Sequence, residues 1–274
     1  MRWFTRPTPS SRSSRKADVL PSPNIWYYPK AYEIENRAQD VDGEIWRVLA
    51  ESAGWQGKDV LDVGCGDGFH LPRFAEGAKS VLGVEPHEPL VERALARVRE
   101  LASVNVLRGC AQALPVADAS VDVVHARTAY FFGPGCDPGL LEAERVLRPG
   151  GVFAIVDLDV SRAPYGDWMR ADLPDYDPVA VERFFEAAGF GCRRVETRWR
   201  FDDAEDMKAV LKIEFSAAVA ERAIAEVLRA NDSSGPVTLP VSYRVHVRRK
   251  PTGLVLPRHS ASASDSSSAA PRMP

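Results

Sequence analysis

From residue 59 to residue 158 the chain repeats one pattern. A short block of consecutive apolar residues is followed by a stretch whose apolar residues recur at helical spacing. The blocks at 59–63 (DVLDV), 80–85 (SVLGVE), 104–108, 121–126 (VDVVHA) and 152–158 are the right length for strands buried on both faces. Between them, 89–101 carries Leu90, Val91, Ala94, Leu95 and Val98 on one face of a helix. Asp137-Pro138 reads as a cap and first-turn proline, opening a helix to about residue 147. Gly150-Gly151 closes that connection. The pattern continues beyond 158. Asp177-Pro178 repeats the cap signal, and its helix carries Val181, Phe184, Phe185 and Ala188 and stops at Gly189. Strands are expected at 192–201 and 239–250, with one or two helices over 203–230 between them. Alternating units of this length predict an α/β fold, a doubly wound and mostly parallel sheet of seven strands with helices on both faces. Such sheets bind ligands outside the carboxyl ends of their strands, near the point where strand order reverses.

The two ends do not follow the pattern. Residues 1–23 hold five basic residues, one acid and four prolines without helical or strand period, which reads as a disordered basic arm without the apolar stretch of a secretory signal. An Arg- and Ser-rich start also has the composition of an organelle transit peptide, though no amphipathic stripe accompanies it. Residues 253–274 read as a disordered Ser/Ala-rich tail. The expected domain is 24–252, with a ligand-binding half at about 55–158 and covering elements at 24–50, 159–176 and 203–230.

Composition narrows the classes. The formal net charge of the 274 residues is −3, which argues against coating nucleic acid by bulk electrostatics. Cys65, Cys110, Cys136 and Cys192 form no C-x-x-C pair and no Cys/His cluster, so neither a disulfide scaffold nor a metal site is expected, and a reducing, cytoplasmic setting fits. No apolar run approaches the roughly 20 residues that span a bilayer. Oligomeric state leaves no mark in the sequence.

The most informative segment is VLDVGCGDGFHL, 60–71. A strand feeds Gly64, Gly66 and Gly68, where missing side chains let a ligand approach the backbone, and a helix is expected from about Phe69. Glu85 follows nineteen residues after Gly66, at the end of the second strand, where an acid accepts hydrogen bonds from ribose hydroxyls. A glycine corner alone is also an ordinary strand–turn–helix connection. The dinucleotide fingerprint G-x-G-x-x-G is not met, because Phe69 stands where its third glycine belongs.

Asp62-Val63-Gly64-Cys65-Gly66-Asp67-Gly68 resembles the D-x-G-x-G-x-G motif of class I S-adenosylmethionine-dependent methyltransferases of small-molecule type. Glu142, Arg145-Val146-Leu147 and Pro149-Gly150-Gly151 match that family's E-x-x-R-V-L-x-P-G-G, and the likeness covers about 60–158. The resemblance implies a Rossmann-like methyltransferase fold with an antiparallel seventh strand and S-adenosylmethionine as cofactor. It implies that Asp62, Gly64, Cys65, Gly66 and Gly68 line the methionine end, that Glu85 holds the ribose, and that Pro86 beside it belongs to the cofactor site. Ala111 and Gln112 would lie against adenine, and Arg127 would join the cofactor site. The family often has acids where Cys110 and Gln112 stand, so adenine would be held here by Gln112 or by a backbone carbonyl.

Methyl transfer from a sulfonium requires the nucleophile, methyl carbon and sulfur in line, and a base only if the nucleophile must lose a proton. Candidate bases at strand ends are His125, Tyr130 and Asp157. His70 follows the glycine loop. Asp157 and Asp159 flank the end of the fifth strand, one expected toward the cleft and one away. Tyr130, Phe131 and Phe132, with Trp26, Tyr27, Tyr28, Tyr32, Tyr165, Trp168 and Tyr176, could shape an acceptor pocket or pack on the sheet. The expected activity is methylation of a small molecule. One feature favours an RNA or protein acceptor: Arg194, Arg198 and Arg200 alternate on one strand and Arg244, Arg248 and Lys250 on the next, which would form a basic stripe or a solvated edge. A non-catalytic protein that binds the same cofactor, and a nicotinamide dehydrogenase, complete the alternatives.

Overall fold

The computed structural model describes residues 19, 22–130, 133–231 and 235–253. Both proposed tails, apart from a few flanking residues, and Phe131 and Phe132 lie outside them.

Three helices precede the sheet: α1 (Pro23–Tyr27), α2 (Pro29–Ala38) and α3 (Glu44–Ser52). Then come β1 (Asp59–Val63), α4 (Leu71–Ala75), β2 (Ser80–Glu85), α5 (Glu88–Val98), β3 (Val104–Arg108), β4 (Val121–Arg127), α6 (Asp137–Val146) and β5 (Leu147–Leu158). The chain continues through α7 (Tyr165–Asp172), α8 (Pro178–Ala187), β6 (Gly191–Phe201), α9 (Ala204–Glu214), α10 (Ala217–Ala230) and β7 (Val237–Arg249). The sheet order is β3-β2-β1-β4-β5-β7-β6. β1 to β5 pair in parallel, and β7 runs antiparallel to both β5 and β6. Strand order therefore reverses between β1 and β4, and the cleft outside their carboxyl ends is where this architecture takes a ligand.

The central apolar blocks form strands because they are buried, whereas β3 at the sheet edge buries only Val106. Val60–Val63 of β1 and Gly151–Leu158 of β5 are covered on both faces. Several boundaries move. β5 pairs from Leu147, so the strand passes through Gly150-Gly151 rather than starting after them. The helix expected from Phe69 starts at Leu71, and the stretch 203–230 divides into α9 and α10 at Phe215–Ser216. Asp177 does cap α8, its carboxylate accepting from the Val179 and Ala180 amides. Asp137 does not cap α6; Cys136 holds the cap position and Asp137 lies in the first turn, where its charge suits the helix dipole.

A second apolar layer lies between β6–β7 and the late helices. Tyr165 packs on Trp199 and Phe215, Trp168 packs on Phe215, and the Trp168 indole donates to Glu226 at 2.8 Å. Tyr165 and Trp168 thus serve this core. α3, expected as a cover, packs against β6 and β7 instead.

The basic stripe forms in register, with Arg194 opposite Arg244, but its charge is spent internally. Arg194 pairs with Asp159 and Glu182, Arg198 with Asp42, Arg248 with Glu144, and Arg200 reaches Asp202 at 3.9 Å. Lys250 donates to the Glu144 and Leu147 carbonyls, and Arg244 is fully buried. The Val41 amide meets the Arg198 carbonyl at 3.4 Å, covering part of the β6 edge.

Candidate functional site

Gly64, Gly66 and Gly68 have φ values of +73°, +57° and +80°, so the turn after β1 uses a conformation that side chains disfavour. It also uses the missing side chains. A Cβ on Gly66 would lie 2.9 Å from Ile25 Cδ1, and one on Gly64 would lie 2.9 Å from the Ala129 methyl. Glu85, at the end of β2, accepts from the Gly66 amide at 3.1 Å through one oxygen and from the His87 amide at 3.0 Å through the other. Burial raises its proton affinity, and the two amides partly offset this. Pro86 turns the chain between Glu85 and His87. Cys65 packs inward against Gly83, and burial pushes its thiol well above the ordinary range. It is a filler beneath the loop, not a nucleophile.

Asp62 reaches the cleft from β1, and His125 lies beside it on β4. His125 Nδ1 is 2.7 Å from Asp62 Oδ1, and both side chains are buried. A carboxylate accepts, so Nδ1 carries the hydrogen. Nε2 has no partner among the described residues, and the ring meets Phe74 edge-on at 5.0 Å. His125 therefore orients Asp62 from beneath and does not line the cleft.

The cleft is narrow, with a cavity volume of about 40 Å³, and opens to solvent on one side. Its floor is the β1 turn. Its far wall is α2, which presents Tyr32 and Asn36 one turn apart with Gln39 at its C-cap, and Arg127 and Thr128 close the end of β4. Arg127 donates to Gln39 Oε1 at 2.8 Å and lies over the Tyr243 ring. Thr128 has φ +57°, a strained conformation of the kind that concentrates at functional sites. α1 forms the roof: Ile25 lies over Gly66, and Trp26 stacks on His87 with ring centroids 4.2 Å apart. His70 lines the cleft as a neutral ring, its pKa held well below the usual range by burial. Arg97 ties these parts together, donating to Asp67 at 2.9 Å and to Glu33 of α2 at 2.6 Å.

The E-x-x-R motif acquires a role. Glu142 accepts from the Leu114 amide at 2.8 Å, and Arg145 donates to the Leu114 and Val116 carbonyls. Together they fasten the loop that carries Ala111 and Gln112 beside the sheet edge.

Two of the expected bases lie elsewhere. Tyr130 turns down against Phe153 and α6, where burial pushes its hydroxyl far above the usual range. Asp157 lies opposite Arg244 in the sheet and outside the cleft lining, with both carboxylate oxygens buried and unpartnered among the described residues. Burial pushes its pKa up to about 7, against a pull downward from Arg244 and the Thr128 amide. Asp159 takes the Arg194 guanidinium at 3.1 Å and approaches Arg244 at 4.0 Å, on the same side as Asp157. The expectation that the two acids point apart is wrong, because residues two apart in extended chain share a face.

The sequence reading missed Ile25, Asn36, Gln39, Asp67 and Thr128.

Comparison with known proteins agrees with this geometry. Residues 61–155 match the methyltransferase domain family model. A protein of Mycolicibacterium smegmatis named as a probable S-adenosylmethionine-dependent methyltransferase is 37% identical over 99 residues, covering 36% of this chain and 37% of that protein. The malonyl-[acyl-carrier protein] O-methyltransferase of Pectobacterium atrosepticum is 32% identical over 148 residues, covering 52% of this chain and 54% of that one. The YcgJ protein of Bacillus subtilis shares the fold, with a TM-score of 0.54 at 19% identity over 76% of this chain and 98% of that chain. The aligned regions span from about a third to about half of these two sequence relatives. The chain carries a class I S-adenosylmethionine-dependent methyltransferase domain, and S-adenosylmethionine is the cofactor of that family. The residues present fit it: a left-handed glycine turn without side chains of its own at Gly64, Gly66 and Gly68, and an acid at each of two strand ends, Asp62 in the cleft lining and Glu85 on the Gly66 amide.

Among the described residues no group of three or more His, Cys, Asp or Glu side chains could hold a metal ion, and no helix is long and apolar enough to cross a membrane.

Proposed function

We propose that this protein is a methyltransferase that moves a methyl group from S-adenosylmethionine to a small-molecule acceptor by in-line displacement. One observation carries the reading: the left-handed glycine turn whose Gly66 amide is held by Glu85 at 3.1 Å. When bound, the cofactor supplies an activated methyl on a sulfonium. The chain supplies position. The Gly64–Gly68 turn and Asp62 hold the methionine end, with His125 fixing the Asp62 rotamer. Glu85 accepts from the ribose hydroxyls, Ala111 and Gln112 border the adenine, and Arg127 offers a cation to the cofactor's carboxylate. α1 and α2 exclude water from the reacting atoms, and the barrier lowering available from such positioning is roughly 7–11 kcal/mol.

The small-molecule reading is supported by the roofed cleft and by the ion pairs that tie Arg194, Arg198 and Arg248 to acids, which offset the charge of the expected stripe. We place 24–252 in one functional unit, in a cytoplasmic setting. A thermal-shift comparison tests the reading. S-adenosylhomocysteine should raise the melting temperature and NAD should not; stabilisation by NAD alone would replace it with a dehydrogenase.

A further inference from the structure

The cleft around the glycine turn is far smaller than the ligand that the turn suits. Its cavity volume is about 40 Å³. Pockets that enclose a drug-sized ligand measure roughly 300–1,000 Å³, so a nucleoside cofactor does not enter while the walls stand as they do. α1 fills the approach. The missing side chain of Gly66 opens a way to the backbone, but Ile25 Cδ1 stands in it, 2.9 Å from where a Cβ of Gly66 would be. Ile25 is 6% exposed and lines the cavity together with Asp62, Gly64 and Gly66.

The residues on either side of Ile25 fix this seat. Asn24 donates to the Glu214 carboxylate of α9. Trp26 stacks on His87, with the ring planes 12° apart and the centroids 4.2 Å apart. Neither residue lines the cavity, so both hold α1 without touching what the cavity takes. The seat is lightly built. α1 has five residues, of which Asn24 and Ile25 are buried, and its N-cap Ser22 makes no side-chain hydrogen bond. Exposed Tyr28, with φ −126° and ψ 52°, breaks helical geometry and joins α1 to Pro29 at the start of α2. Rotation at such an element-terminal residue moves α1 and leaves Tyr32 and Asn36 of α2 in place. The seat also carries a cost, since His87 Nδ1 is buried there with no hydrogen-bond partner among the described residues.

We propose that α1 is a plug on the cofactor site: seated, it holds the cofactor's place with Ile25, and S-adenosylmethionine binds the arrangement in which α1 has swung off the turn. This rests on the methyltransferase reading above. α1 stays tethered to α2 at Tyr28-Pro29, so after displacement it remains beside the cleft. The apparent dissociation constant is the intrinsic one divided by the fraction of molecules with α1 displaced. A substitution that weakens the seat therefore tightens cofactor binding, although it removes contacts from the protein. A roof that completes the site behaves in the opposite way, and loosening it weakens binding.

The test uses the full chain with S-adenosylhomocysteine as the probe. Asn24→Ala removes the donor to Glu214, and Trp26→Ala removes the stack. Each should lower the calorimetric Kd about tenfold, the weight of one such contact in the seated arrangement. A cooperative thermal transition without the probe reports that each variant is folded. A second measurement follows α1 itself. In protein labelled with 5-fluorotryptophan, the Trp26 fluorine signal, assigned by its loss in Trp26→Phe, should shift when the probe is added. A Kd unchanged or raised in either folded variant overturns the proposal, as does a Trp26 signal that stays in place in the probe-saturated parent. If one variant does not fold, the other variant and the fluorine signal decide. Binding by the variants alone supports the plug. If neither parent nor variants bind the probe, the methyltransferase reading falls and the plug falls with it.

Discussion

Asp62 and His125 occupy paired positions on adjacent parallel strands, and a 2.7 Å contact from Nδ1 to Oδ1 joins them below the cleft. The contact makes His125 a support for Asp62, and its removal distinguishes support from catalysis. His125→Leu should leave the buried carboxylate without its donor and cost about 3 kcal/mol of folding stability. S-adenosylhomocysteine affinity should fall with it. Chemical denaturation and calorimetry check both. Loss of turnover with stability and affinity intact would make His125 a base after all.

Gly66 is constrained twice, by its φ of +57° and by the Ile25 methyl above it. Gly66→Val should abolish binding of S-adenosylhomocysteine, because the new side chain fills the space between turn and roof. Calorimetric titration of the folded variant measures it, and retained binding would remove the turn from the cofactor site.

Glu85 holds two backbone amides, and in the proposed function it also holds the ribose. Glu85→Ala should weaken S-adenosylhomocysteine binding by about 1.5–3 kcal/mol, the range for hydrogen bonds to a charged group. A homocysteine fragment without the nucleoside should show no such loss. The pair of titrations assigns the acid to the ribose end.

Asp157 predicts a pH dependence of stability. Its folded pKa of about 7 lies above the ordinary aspartate value of 3.8, so the folded state binds the proton more tightly. Stability from this group is complete below about pH 4 and is lost as pH rises toward 7, by an amount on the order of 4 kcal/mol. Asp157→Asn, which cannot ionise, should match the parent near pH 4 and exceed it at pH 8. Urea midpoints of both proteins at the two pH values decide this. Other buried acids, Glu35 and Glu214 among them, titrate in both proteins and cancel in the difference.

The sheet was legible because its cause is local. A strand buried on both faces must be apolar throughout, and β1 and β2 fall where their apolar blocks lie, while the edge strand β3 alternates apolar and polar residues. Glu85 and the three glycines were legible for the same reason, since strand end and turn adjoin directly. The far wall was not. Asn36 and Gln39 matter because Arg127, almost ninety positions away, closes against them, and no periodicity reports that meeting. Tyr130 misled because the chain turns at Thr128, whose left-handed φ directs the next residues away from the cleft. The arginines of β6 and β7 formed the expected stripe, but their partners Asp42 and Glu144 come from distant segments and Glu182 from the helix just before β6.

The five residues of α1 touch three places at once: Asn24 on Glu214, Ile25 on Gly66, and Trp26 on His87. These contacts share one short rigid body, so none can be released alone. A displacement of α1 that takes Ile25 off the turn would therefore also break the Asn24–Glu214 contact and the Trp26–His87 stack.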